Sequence, residues 1–201
     1  MRLLITAMMA GVMTGFGGAA FLGAERQEVG ALLFSIGMFS SLVLGYPLFI
    51  SRCAGIICGK SGKLKELPGL IFGNLLGAVL CGLVYGLAVA SKVPALQAAR
   101  LEQTFFSTLA RGTFCGMIIY SGAQSWQTME SSKPLGVLLA VAAFVVSGFE
   151  NSVADAFYFS AAFAQTGVFE PKTLSFVLAA VLGNLIGPVI ICLTQEKQET
   201  V

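Results

Sequence analysis

The stretch VVSGFENSVADAFYFSAAFAQ, residues 145–165, is the most informative part of this chain. It is apolar enough to lie in a lipid bilayer, yet Glu150, Asn151 and Asp155 follow Gly148 within it. Ionisable groups inside a membrane span are costly, and they usually face the interior of a helix bundle or a water-filled path. The stretch therefore predicts a functional site inside a membrane span.

The composition indicates an integral membrane protein. Of the 201 residues, 56% are hydrophobic and 11% are charged, and the mean hydropathy is +0.85; a soluble domain carries roughly 25% charged residues. The net charge of +2 is too small to indicate a nucleic-acid partner. The chain has no histidine, the commonest metal ligand and the only side chain that titrates near neutrality when unperturbed. Its five scattered cysteines form no CxxC pair, so we expect buried thiols and neither a metal site nor a cofactor.

Six apolar segments predict an all-α fold with six transmembrane helices in one domain, residues 1–201. The segments cover residues 3–24, 29–58, 67–91, 104–126, 134–165 and 173–194, and about 20 residues span a bilayer as a helix. The first exceeds the roughly 7–15 residues of a signal-peptide core, so we expect a span there. The second and fifth are too long for one span, and each is interrupted, at Gly45-Tyr46-Pro47 and at Gly148-Phe149-Glu150-Asn151.

The two halves of the chain, about 1–91 and about 104–194, repeat one another. GNLLG at 73–77 matches GNLIG at 183–187, an offset of 183 − 73 = 110, and the two interruptions are offset by 148 − 45 = 103. Since each half holds three spans, the second half inserts inverted relative to the first. Inverted repeats with interrupted helices indicate a transport path at the repeat interface. The N-terminus of each half-helix carries about half a positive charge, which favours small anions or small polar molecules.

Positively charged residues near the ends of the spans predict the orientation. One side carries seven of them: Arg2, Arg52, Lys60, Lys63, Lys65, Lys133 and Lys197. The other side carries four: Arg26, Lys92, Arg100 and Lys172. Because cytoplasmic loops carry an excess of Lys and Arg, we expect both termini, with a short tail at 195–201, in the cytoplasm. The expected location is the inner, or plasma, membrane.

Interrupted second and fifth spans, a Gly-Asn pair in the third and sixth, and GFENSVADAF at 148–157 occur together in this chain. The combination covers nearly the whole chain and resembles the formate–nitrite transporter family. The resemblance implies an aquaporin-like fold and a homopentamer with one pore per protomer in the lipid bilayer. It also implies a solute that is a small monoacid, such as formate, nitrite or hydrosulfide.

The resemblance further implies roles for individual residues. Leu48, Phe49 and Phe149 are candidates for apolar constrictions, and Lys133 for a basic residue that attracts anions. The whole predicted solute pathway comprises Leu48, Phe49, Phe149, Glu150, Asn151, Asp155 and Asn184.

The chain also departs from the family pattern at functional positions. Asn151 stands where the family has histidine, so a proton relay from that side chain to the solute is impossible. Gly116 and Asp155 each replace a family asparagine, and the acidic-Leu-Phe-Thr pattern of the first break is absent. The main prediction is therefore a passive channel for small monovalent anions.

Several alternatives remain open from the sequence. Asp155 and the missing histidine also fit a channel for small neutral solutes or neutral weak acids. A membrane enzyme is not expected, because its only acid–base candidates, Glu150 and Asp155, would point to different faces of a helix. A structural subunit without transport is a further alternative. Asp155 either pairs with Arg111 or faces the pore, and Asn151 and Asn184 either contact the solute or satisfy backbone groups at the break.

Overall fold

A computed structural model describes residues 1–195, which contain helices and connecting turns but no strand. The first half of the chain forms α1 (Arg2–Gly23), α2 (Gln27–Val43), α3 (Phe49–Ile57) and α4 (Leu67–Ala88). The second half forms α6 (Phe105–Thr128), α7 (Lys133–Val146), α8 (Ser152–Thr166) and α9 (Lys172–Thr194). A short helix, α5 (Val93–Leu101), lies between the halves. The predicted all-α class is confirmed; nearly all of the predicted tail lies outside the described residues.

Both predicted interruptions are present. The second span consists of α2 and α3, and the fifth of α7 and α8. A glycine with a positive φ follows the first helix of each pair, Gly45 at +71° and Gly148 at +65°. By length and apolar composition, α1, α9 and the stretch Leu64–Ala88 can each cross a membrane unbroken. Left-handed backbone costs other L-residues about 1–2 kcal/mol, which explains why glycine stands at both positions.

The Gly-Asn motifs bring helices of each half into close contact. In the first half α4 packs on α1, and in the second half α9 packs on α6. A Cβ atom added to Gly77 would overlap the backbone of Met8, and one added to Gly187 would overlap the backbone of Thr113. Small residues that allow backbones to approach are the usual basis of helix packing in lipid. The repeated motif therefore has a packing role in both halves.

The helix α5 was not expected, because residues 92–103 lie between the third and fourth predicted spans. Pro94 lies in its first turn, where proline is tolerated because those N–H groups have no helical partner. Its residues Val93 and Gln97 are buried, and it packs mainly against α8. This position puts α5 beside the fifth-span interruption.

Candidate functional site

Asn74 holds the first interruption together. Its side chain is fully buried, and its Oδ1 accepts a hydrogen bond from the backbone N–H of Phe49 at 2.8 Å. Its Nδ2 donates to the carbonyls of Ala7, at 2.8 Å, and Pro47, at 3.0 Å. Breaking a helix in lipid frees backbone groups that must be satisfied inside the protein, and Asn74 satisfies them.

Asn184 does the same at the second interruption. It is also fully buried, and its Oδ1 accepts from the N–H and the hydroxyl of Ser152 at 2.9 and 2.8 Å. Its Nδ2 donates to the carbonyls of Gly112 and Glu150, both at 2.9 Å. In each half the asparagine therefore binds the first amide of the second half-helix, a carbonyl within the break and a carbonyl of a neighbouring span.

Two cavities lie next to the fifth-span interruption. The larger one, which we call the vestibule, has a volume of about 220 Å³ and is bordered by α5 and by the residues around the α7–α8 break, including Arg100, Glu150 and Asn151. The smaller one, the inner cavity, has a volume of about 20 Å³, which is room for about one water molecule. Leu48 and Ile50, from the start of α3, line the inner cavity together with Val153 from the start of α8.

An aromatic pair separates the two cavities. Phe34 and Phe144 border both of them, are 3% and 4% exposed, and pack edge to face with ring centroids 5.4 Å apart. The predicted constriction residue Phe149 borders only the vestibule, and its ring stacks on Phe114 at 5.3 Å. Phe34 and Phe144 were not predicted as constriction residues, because the predicted candidates Leu48, Phe49 and Phe149 all lie at the interruptions.

Asn151 is the third residue that borders both cavities. It is the N-cap of α8, where its Oδ1 accepts from the N–H groups of Val153 and Ala154 at 3.1 and 3.3 Å. Its Nδ2 has no hydrogen-bond partner within residues 1–195, and it is not among the buried unpartnered atoms. Because the oxygen is committed to the helix cap, the amide NH₂ is left as a free donor beside the aromatic pair.

A cluster of charged groups lies on the vestibule wall. Arg100 of α5 donates from Nη1 to Oε2 of Glu150 and, at 2.5 Å, to Oδ1 of Asp155. Gln103 donates to the other oxygen of Glu150 at 2.7 Å, and the Arg100 guanidinium lies 5.1 Å from the ring centroid of Tyr158. Burial alone would lower the pKa of Arg100, but the charges of Asp155 and Glu150 outweigh this and raise that pKa above its ordinary value. The guanidinium therefore stays charged.

The suggested pairing of Asp155 with Arg111 is wrong. Asp155 is fully buried and pairs with Arg100, whereas Arg111 donates from Nη1 to the carbonyl of Gly148 at 2.8 Å. The sequence did not point to Arg100 as the partner, because α5, which carries Arg100, was not expected. Asp155 nevertheless borders the vestibule, so pairing with an arginine and a position on the cavity wall coexist.

The other predicted site residues lie in three different environments. Leu48, 7% exposed, is the N-cap of α3 and lines the inner cavity. Phe49 and Asn184 are fully buried and border neither cavity. Both take part in the hydrogen bonds that hold the interruptions. Lys133 also borders neither cavity. It is the first of the 14 residues of α7, which places it about 20 Å from the vestibule end of that helix.

Two interrupted spans, joined to their neighbours by equivalent asparagines around a pair of cavities, are the architecture of an inverted-repeat membrane transport protein. The chain belongs to the formate/nitrite transporter family, whose model matches residues 1–195. The family resemblance noted in the sequence is thereby confirmed.

Two curated relatives illustrate the similarity. The formate channel FocA of Escherichia coli (strain K12) is 29% identical over 151 residues, which cover 64% of this chain and 51% of FocA. The uncharacterized transporter YrhG of Bacillus subtilis (strain 168) is 24% identical over 186 residues, which cover 82% of this chain and 68% of YrhG. The chain thus spans about half the length of the FocA relatives it matches.

Solved structures show the same fold. An FNT family ion channel superposes with a TM-score of 0.82 at 21% identity, covering 95% of this chain and 87% of the other. A pentameric formate channel with formate bound superposes with a TM-score of 0.78 at 21% identity, covering 94% and 93%. These likenesses confirm the predicted membrane-channel fold.

Proposed function

We propose that this protein is a passive transmembrane channel for small monovalent anions such as formate, nitrite or hydrosulfide. The observation that carries the proposal is the junction of the two cavities, where the Phe34–Phe144 pair and the free NH₂ of Asn151 meet. The matched relative FocA is named a formate channel, and one structural neighbour is named as having formate bound.

The electrostatics of the inner cavity favour a small anion. The first turns of both α3 and α8 border this cavity, through Ile50 and Val153. Helix N-termini carry partial positive charge and stabilise anions without a full cation. The N–H groups of Ser152, Val153 and Ala154 are already bonded to asparagine oxygens. The two helix ends therefore offer a solute positive potential, and the Asn151 NH₂ offers a hydrogen-bond donor.

The size of the path limits the solute. The inner cavity holds about 20 Å³, and the rings of Phe34 and Phe144 close its vestibule side. Leu48 is placed to narrow the same cavity from the α3 side. A solute of a few heavy atoms passes when these side chains move, whereas a bulky one does not.

The passage is proposed to be passive and only weakly dependent on pH. Asn151 carries a neutral amide, which donates a hydrogen bond but has no proton to release. The chain contains no histidine at any position.

A channel for small neutral solutes or neutral weak acids is the second candidate. The carboxylates of Glu150 and Asp155, both on the vestibule wall, favour it because they oppose the entry of anions. Arg100 and Arg111 on the same wall offset them, so we place the anion channel first. The same engagement of both carboxyls with Arg100 speaks against a catalytic role.

The assembly and orientation remain proposals as well. We propose a homopentamer in the inner membrane with both termini in the cytoplasm, based on the pentameric structural neighbour and on the lysine and arginine distribution. Exposed apolar side chains, among them Phe72, Val84 and Leu87 of α4 and Leu174 and Leu178 of α9, provide surfaces for lipid or a neighbouring protomer. Lys133 is proposed to attract anions at the cytoplasmic mouth.

Uptake into proteoliposomes tests the proposal. Formate, nitrite, hydrosulfide, lactate and the neutral solute urea are offered to vesicles with and without the protein, at several pH values. We expect saturable protein-dependent uptake of the smaller anions, with rates that follow the anion concentration. Uptake of urea alone, or rates that follow only the concentration of the undissociated acid, would favour the second candidate.

A further inference from the structure

Four charged side chains border the vestibule within the described residues. Arg100 and Arg111 contribute two positive charges, and Glu150 and Asp155 contribute two negative charges. When all four are ionised, the wall of the vestibule is neutral. A neutral wall does not concentrate anions, whereas a surplus of positive charge would.

Of the two carboxylates, Asp155 has fewer hydrogen-bond partners. It is fully buried, and its Oδ1 accepts from Arg100 at 2.5 Å, while its Oδ2 has no partner within residues 1–195. Glu150, by contrast, has partners on both oxygens, Arg100 and Gln103. Glu150 and Asp155 share the guanidinium of Arg100. An asparagine at position 155 could accept the same hydrogen bond from Arg100 and would remove one of these two buried carboxylates. A buried carboxylate with an unpartnered oxygen is costly.

We propose that Asp155 determines the charge selectivity of this channel, by cancelling one positive charge at the vestibule. The inference rests on the proposed anion path. Around a narrow cavity with low-dielectric walls, one elementary charge changes the local concentration of ions strongly. With Asp155 ionised, the vestibule accepts anions without concentrating them. The inner cavity, with its two helix ends and Asn151, then selects anions over cations.

Reversal potentials in planar bilayers, measured under a sodium formate gradient, test this role. We expect Asp155→Asn to raise the formate-to-sodium permeability ratio roughly tenfold or more, the scale of electrostatic focusing in charged clefts. The double variant Arg100→Gln/Asp155→Asn restores the neutral wall and should return the ratio to the wild-type value. Glu25→Gln removes an exposed carboxylate of the α1–α2 loop that lines neither cavity, and should leave the ratio unchanged.

Thermal unfolding of the same variants separates charge selectivity from a structural role. Asp155→Asn should assemble as the wild type does and unfold at the same temperature or higher. A folded Asp155→Asn with an unaltered permeability ratio would overturn the inference, and so would a variant that fails to assemble, because that would make Asp155 a structural anchor for Arg100. Absence of formate current through the wild type would instead refute the anion path itself, and the inference with it.

Discussion

Replacing Asn184 by alanine distinguishes a role in holding the second interruption from a role in contacting the solute. The side chain makes four hydrogen bonds, two accepted from Ser152 and two donated to Gly112 and Glu150, and it is fully buried. It borders neither cavity. The structure therefore predicts that Asn184→Ala acts first on stability.

The expected loss of stability follows from the backbone groups that lose their hydrogen-bond partner in Asn184→Ala. The N–H of Ser152 and the carbonyl of Glu150 lie at the break, and neither has another backbone or side-chain hydrogen bond within residues 1–195. A buried group left without a partner costs about 1–3 kcal/mol, so we expect a loss of about 2–6 kcal/mol in the free energy of unfolding. Such a loss is large beside the roughly 5–15 kcal/mol that stabilises a typical protein.

Thermal unfolding in detergent, combined with proteoliposome flux, measures the effect. Asn74→Ala is the matched variant, because Asn74 makes the equivalent bonds in the first half, and it should lose a similar amount. Asn151→Ala removes only a helix cap and should lose about 1 kcal/mol. An Asn184→Ala protein as stable as the wild type but without flux would refute the structural role and make Asn184 a solute contact.

Three further substitutions, two of them paired with a second variant for comparison, test the path and the break. Asn151→His introduces a group with an unperturbed pKa of about 6.5, so formate flux should become pH-dependent near that value; pH profiles identical to the wild type would remove the assigned role of Asn151. Phe144→Ala should speed uptake and admit larger solutes such as lactate in stopped-flow assays, whereas Phe149→Ala, outside the inner cavity, should not; equal effects would mean that the aromatic pair is not the constriction. Gly148→Ala should lower the free energy of unfolding by about 1–2 kcal/mol because of its positive φ, and Gly45→Ala should do the same; unchanged unfolding temperatures would contradict this.

The features that the sequence predicted well are those with a backbone cause. In two overlong apolar segments, a glycine followed by proline or by polar residues predicted the interruptions, and both glycines have a positive φ. The repeated Gly-Asn pair predicted the relation between the halves, and Asn74 and Asn184 form equivalent hydrogen bonds. These features can be recognised from residue type and spacing, and a single sequence contains both.

The features that the sequence did not predict depend on tertiary packing. The sequence of residues 92–103 does not indicate that α5 packs against α8 and that Arg100 pairs with Glu150 and Asp155. Phe34 and Phe144 come from different halves, and only the packing of α2 on α7 brings their rings together. With 16 phenylalanines in the chain, residue type alone could not select this pair.

The most direct test of the central claim is a planar-bilayer recording of the wild-type protein under a formate gradient. We expect a protein-dependent current whose reversal potential moves toward the equilibrium potential of formate as the gradient is steepened. The current should change little between pH 6 and pH 8, values chosen to bracket neutrality. The anion channel would be contradicted if the folded and inserted protein carried no current under any gradient and still accelerated the uptake of undissociated acid or of a neutral solute.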